Sequence, residues 1–181
     1  MPLSITAADP IRSQKFAAID FESAGAARGR TDVPVQIGIT LWCPRQGLGE
    51  SFCSYLSSDQ PISWSARKVH GITLKDLAGA PSLLSLYPRI RSLLTDRILI
   101  AHGHGTEKRF LRAFPGHQFG PWVDTLNVAR AAWPGLAQFR NQPARLASWR
   151  WPRQPQSPAC HTIDLRGGVG AGPLGIGARP L

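Results

Sequence analysis

From residue 16 onward the chain alternates short apolar runs with stretches of helical periodicity. FAAIDFE (residues 16–22) has the composition of a buried strand, and VPVQIGITLW (33–42) is β-branched and partly alternating. Residues 51–56 offer a third strand, and RQGLG at 45–49 suits a hairpin turn between the last two. Helical character then begins. Residues 63–70 carry a short helix pattern, and residues 82–94 place Leu83, Leu86, Ile90, Leu93 and Leu94 on one face, with Pro81 and Ser82 as start residues. Residues 97–101 predict a strand, 106–113 a helix, 122–123 a last short strand and 125–132 a final helix. Three neighbouring strands followed by alternating helices and strands predict an α/β fold, a mixed sheet with helices packed on it.

After residue 136 the rhythm dissolves. Residues 139–181 hold six Pro and six Gly, and GGVGAGPLGIG (167–177) suits neither helix nor strand. The expected organisation is an N-terminal arm (1–14), one folded domain (15–136) and an irregular, poorly ordered tail (137–181).

Composition adds partners and compartment. The 181 residues carry 21 Lys+Arg against 11 Asp+Glu, a net charge of +10, and 43% are hydrophobic. That supports one domain with a real core and argues against a disordered chain. Six Arg and one acid, Asp164, fall within residues 139–181, so basic charge is concentrated in the tail. A basic surface favours a polyanion by counterion release, solubility being the alternative use of the same charge. Three cysteines (Cys43, Cys53, Cys160) form no disulfide framework and no C-x-x-C pair, which points to a reducing, cytoplasmic setting. Residues 1–15 lack a signal-peptide core, and no run approaches the roughly 18 apolar residues of a membrane helix, so no membrane partner is expected.

The candidate chemistry lies at strand ends. On a strand, residues i and i+2 share a side, so Asp20 and Glu22 project together from an otherwise apolar run. Two such carboxylates repel unless a cation lies between them, and hard oxygen donors select Mg²⁺ or Mn²⁺. An ordinary strand exit into solvent is the other use of the same pair. The strand at 97–101 runs through His102, Gly103, His104 and Gly105 into a helix whose first turn holds Glu107. There Glu107 serves either the site or the helix dipole. Gly103-His104-Gly105 lacks the spacing of a phosphate loop. His70, before Gly71, reads as part of a helix cap, and Asp124 as an N-cap.

In order, FAAIDFESAG (16–25), VPVQIG (33–38), VHGIT (69–73), ILIAHGHGTEKRFL (98–111) and VDTL (123–126) resemble the DEDD family of 3′–5′ exonucleases, the proofreading type with an RNase H-like fold. The D-x-E-T/S-x-G motif is matched by Asp20, Glu22, Ser23 and Gly25. In the second motif His102 matches, Gly103 replaces an Asn, and Glu107 stands where Asp is usual. The resemblance covers about residues 15–136. It implies a three-strand antiparallel meander plus parallel strands, and two-metal phosphodiester hydrolysis at DNA or RNA 3′ ends, with a polymerase as a further partner. Asp20, Glu22 and Glu107 would be the Mg²⁺ or Mn²⁺ ligands, and Phe21, Ser23 and His102 would contact substrate.

The third motif, His-x₄-Asp, is missing. His161 is the only histidine of the tail and stands where the general base would come from, but Asp164 follows it by three positions. Three carboxylates offset less of the charge of two divalent ions than four would, so the second ion should bind less well. The tail's Arg/Pro/Gly/Ala bias matches GC-rich DNA read out of frame, natural divergence being the alternative origin. The implied function is a 3′–5′ exonuclease impaired by the missing acid; the rival is an inactive nucleic-acid-binding module of the same fold.

Overall fold

The computed structural model describes residues 10–26 and 29–134. A 3₁₀ turn at Pro10–Ser13 leads into β1 (Phe16–Ser23), β2 (Pro34–Cys43) and β3 (Gly47–Tyr55). These form an antiparallel meander, with Asp20 opposite Gly38 on β2 and Cys43 opposite Gly47 across the hairpin. Helices α1 (Trp64–His70) and α2 (Tyr87–Leu94) follow. β4 (Ile98–Ala101) then pairs in parallel with the free edge of β1, and after α3 (Gly105–Leu111) β5 (Trp122–Asp124) pairs in parallel with β4. The last described element is α4 (Thr125–Ala132). The result is a five-stranded mixed sheet in the order β3-β2-β1-β4-β5 with flanking helices, as the sequence pattern predicts.

The core forms on one face of this sheet. Ala17, Ile19 and Phe21 alternate inward from β1 and meet Ile37 and Ile39 of β2 and Leu99 and Ala101 of β4. Ile90, Leu93 and Leu94 of α2 and Phe110 and Leu111 of α3 close over them. A smaller cluster of Ala24, Val35, Ile72 and Leu77 holds the α1 region against the exit of β1.

One boundary departs from expectation: the helix predicted over 82–94 begins at Tyr87. Ser82 spends its hydroxyl on the Ser85 N–H (3.1 Å), and the Ser85 hydroxyl donates back to the Ser82 carbonyl (2.8 Å). These local bonds hold a turn in place of a helical start, and Pro88 in the first turn fixes where the helix begins.

Candidate active site

Strand alternation turns Ile19 and Phe21 into the core and leaves Asp20 and Glu22 on the opposite side of β1. Asp20 faces a glycine, Gly38, across the ladder, so its directly opposed neighbour carries no side chain. A register shift between Glu22 and Ser23 ends regular pairing there. The chain then turns through Gly25, at φ 84°, where an added Cβ would run into the Ser63 hydroxyl. Only glycine allows the α1 N-terminus to lie this close to the strand exit.

β4 delivers the third acid. Its chain passes His102 and Gly103 (φ 81°) and enters α3, where Glu107 is buried at 5% exposure. Asp124, at the neighbouring strand end, fixes this turn: its Oδ1 accepts from the Gly103 and Leu126 N–H groups, both at 2.9 Å. It is the expected N-cap of α4 and also the clasp of the segment that carries Glu107. The Thr125 hydroxyl donates to the Ala101 carbonyl (3.2 Å), which leaves its oxygen to accept from His102 Nδ1 at 3.1 Å. His102 Nδ1 therefore carries a proton, donated to Thr125. His104 is held likewise: Lys108 Nζ donates to its Nε2 (3.1 Å), so Nδ1 bears the proton 3.9 Å from Asp124 Oδ2.

The acids divide sharply in their electrostatics. Burial pushes Glu22 up to about 7, and the Asp20 charge adds to the rise. Burial likewise raises Glu107 to about 7, with its own backbone N–H and Arg109 opposing and the Asp20 and Asp124 charges adding. Asp20 is raised by desolvation, against a hydrogen bond from the Phe21 N–H and the charge of His102. Asp124 goes the other way. Burial alone would raise it, but the N–H groups of Gly103, Leu126 and Asn127, with His104, hold it below the usual carboxylate range.

Asp20, Glu22 and Glu107 therefore share one electrostatic neighbourhood although Glu107 lies on a different element. Among the described residues no three acid, histidine or cysteine side chains close into a ready ion cage. The donor chemistry nevertheless fits a hard divalent cation: the oxygens are carboxylate, and Glu107 Oε2 is buried with no hydrogen-bond partner. A buried carboxylate oxygen without a donor is destabilised until a cation or proton reaches it.

The other expected site residues fall in different places. Ser23 is half-buried, with its carbonyl tied to His70, and His102 is exposed beside Asp20. The Phe21 side chain enters the core at 6% exposure, packed edge-on against Phe110 at 5.3 Å between ring centroids. Its place in the strand alternation puts it on the face opposite Asp20. His161 and the irregular tail lie outside the described residues.

Two linking residues were not singled out in sequence. Asp32 accepts from the Gly25 N–H (2.9 Å) and from Arg109 Nη2 (2.9 Å), joining the β1 exit to the Glu107 helix. His70 does more than cap. Nδ1 accepts from the Ile72 N–H (3.0 Å), so Nε2 carries the proton donated to the Ser23 carbonyl (3.1 Å), and desolvation lowers the pKa of this neutral ring. The order VHGIT after D-x-E was a visible signal for His70; Asp32 and Arg109, 77 positions apart, offered none.

Residues 17–150 match the model of an exonuclease family, RNase_T, a span that runs past the domain end expected at residue 136. DNA polymerase III PolC-type from Streptococcus pyogenes serotype M1 is 26% identical over 140 residues, which is 74% of this chain but 9% of that protein's length. Among solved structures, exonuclease X in complex with 5′ overhanging duplex DNA aligns with a TM-score of 0.52 and 25% identity, covering 66% of this chain and 65% of the other. E. coli exonuclease I in complex with a dT13 oligonucleotide shares the fold, with a TM-score of 0.57 and 19% identity over 72% of this chain and 32% of that one. With the acids at the ends of β1 and in α3, and with a family match over most of its length, the chain belongs to the exonuclease family.

Proposed function

We propose that the protein is a metal-dependent 3′–5′ exonuclease acting on DNA or RNA ends, with Asp20, Glu22 and Glu107 as the cation ligands. The single observation that supports this most is Glu107 Oε2, a buried carboxylate oxygen with no partner, on a group whose pKa is raised by the charge of Asp20 on another element. Divalent cations, two in the full mechanism, would activate a water and stabilise the leaving 3′ oxygen when bound. The chain's own part is to hold three acids ready. The Asp20 charge raises both Glu22 and Glu107, so Asp20 would share a cation with each of them. Asp124 clasps the Gly103 turn, and Asp32 links the Gly25 loop to Arg109, so both halves of the acid set have their backbones fixed. The exposed His102, oriented through Thr125, would touch substrate.

No helix among the described residues is long and apolar enough to cross a membrane. Nucleic acid in the cytoplasm, alongside a polymerase, is the setting this reading implies. The rival reading, a binding module without catalysis, is favoured by the missing His-x₄-Asp motif. A 3′-labelled oligonucleotide incubated with Mg²⁺ or Mn²⁺ separates the two. Release of labelled mononucleotide, abolished by Asp20→Ala, is the expected result; binding without cleavage in either metal would favour the module.

A further inference from the structure

We propose that the outer face of α1 is a docking surface for single-stranded nucleic acid, taking a base on the Trp64 indole and backbone phosphates on Arg67 and Lys68. Trp64 is 66% exposed, an unusual position for the largest apolar side chain. Its ring is held by Lys68, whose Nζ lies 3.9 Å from the ring centroid. Positions i, i+3 and i+4 put Trp64, Arg67 and Lys68 on one helical face. An ordered, exposed indole beside cations is the combination that stacks a base while neighbouring charges track the backbone.

Charge complementarity selects the occupant. α1 contains no acid, and among the described residues neither Arg67 nor Lys68 takes part in an ion pair. This uncompensated positive face suits a polyanion, and only an unstacked base offers a ring to Trp64.

Position supplies the link to the acids. The Ser63 N–H donates to the Ala24 carbonyl (2.7 Å), and His70 at the other end of α1 donates to the Ser23 carbonyl (3.1 Å). α1, roughly 10 Å long, is thus fastened at both ends to the residues that follow Glu22. A strand with its terminus at the acids is repelled by them along its phosphates, and α1 is the cationic helix fastened beside that exit. The inference deepens the proposed function by assigning a path to its substrate, while the binding itself does not depend on cleavage.

The test measures binding of a labelled oligo-dT of about 12 nucleotides to the full chain by fluorescence anisotropy, without divalent metal, over a salt series. Trp64→Ala should weaken binding about tenfold, with Trp64→Phe retaining most of the affinity. Arg67→Ala with Lys68→Ala should lower the slope of log affinity against log salt by about 1.4. Thermal melts of these surface variants check that they fold. Affinity unchanged by Trp64→Ala, equal affinity for a blunt duplex, or self-association of the chain through this face would each overturn the proposal. Metal-dependent cleavage is scored separately. Trp64-dependent binding without cleavage keeps this surface and removes the nuclease reading; cleavage with Trp64-independent binding does the reverse.

Discussion

Carboxylates end both β1 and β5, and the two strand ends treat them in opposite ways. At β5, Asp124 gives its oxygens to backbone N–H groups and its pKa falls. At β1, Asp20 and Glu22, with Glu107 brought in from α3, keep raised pKa values, and one buried oxygen of Glu107 has no donor. Residue type does not separate the two roles. The supply of N–H donors does: a saturated carboxylate is a clasp, and an unsaturated buried one is, on the proposed reading, a cation ligand.

The largest expected effect breaks the ligand side of this contrast. Asp20→Ala should reduce metal-dependent cleavage by roughly a thousandfold or more, the scale of several kcal/mol of lost transition-state stabilisation. It should also lower the pKa values of Glu22 and Glu107, since the Asp20 charge raises both. Glutamate side-chain NMR titrations would show that downward movement.

Breaking the clasp side should cost folding instead. Asp124→Ala removes a helix cap and leaves the Gly103 N–H without its acceptor, a loss of about 2 kcal/mol in urea unfolding. Asp124→Asn, which keeps an acceptor oxygen, should lose less.

A pH series sharpens the same difference. Glu22 and Glu107 titrate near 7 in the folded chain against 4.5 as the ordinary value. The folded state therefore holds more protons than the unfolded one between those values, so stability should fall as pH rises from about 5 to 7.5 and level off above. The cost is absent below the ordinary value and complete once both groups are ionised. Mn²⁺ should restore the melting temperature, more at pH 8 than at pH 6, because its ligands must be deprotonated. A melting temperature that rises with pH in metal-free buffer would contradict the raised acids.

How much of this was legible in the sequence follows from the range of each interaction. Strand and helix identities came through because alternation and helical periodicity are local, and the D-x-E pair declared its shared face by spacing alone. For Phe21 the motif resemblance does not state which side of the strand the residue takes, whereas alternation, applied to Asp20, puts it in the core. The α2 start was misplaced because Ser82 is as good in a turn as at a cap, and only the bonds to Ser85 decide between them. Asp124 was recognised as a cap from its neighbours, but its bond to Gly103 spans 21 positions and depends on β4 and β5 lying side by side. Glu107 as a partner of Asp20 was reached through family resemblance, since nothing local distinguishes it from a helix-dipole acid.

The smallest effect concerns the link between the two halves of the site. Arg109→Ala breaks an ion pair with Asp32 whose guanidinium is 43% exposed, so stability should change by less than about 1 kcal/mol. Yet Arg109 is the cation that lowers the Glu107 pKa, and its loss should move that group further up. An unchanged Glu107 titration in this variant would separate Arg109 from the site.

The account stands on Asp20, Glu22 and Glu107 acting as one cation site. Calorimetric titration with Mn²⁺ at pH 7, repeated in buffers of different ionisation enthalpy, tests this directly, because ligands with pKa values near 7 must release protons when the ion binds. The predicted result is binding accompanied by proton release, with both lost in Asp20→Ala. Binding that releases no protons, or that survives Asp20→Ala unchanged, would contradict it.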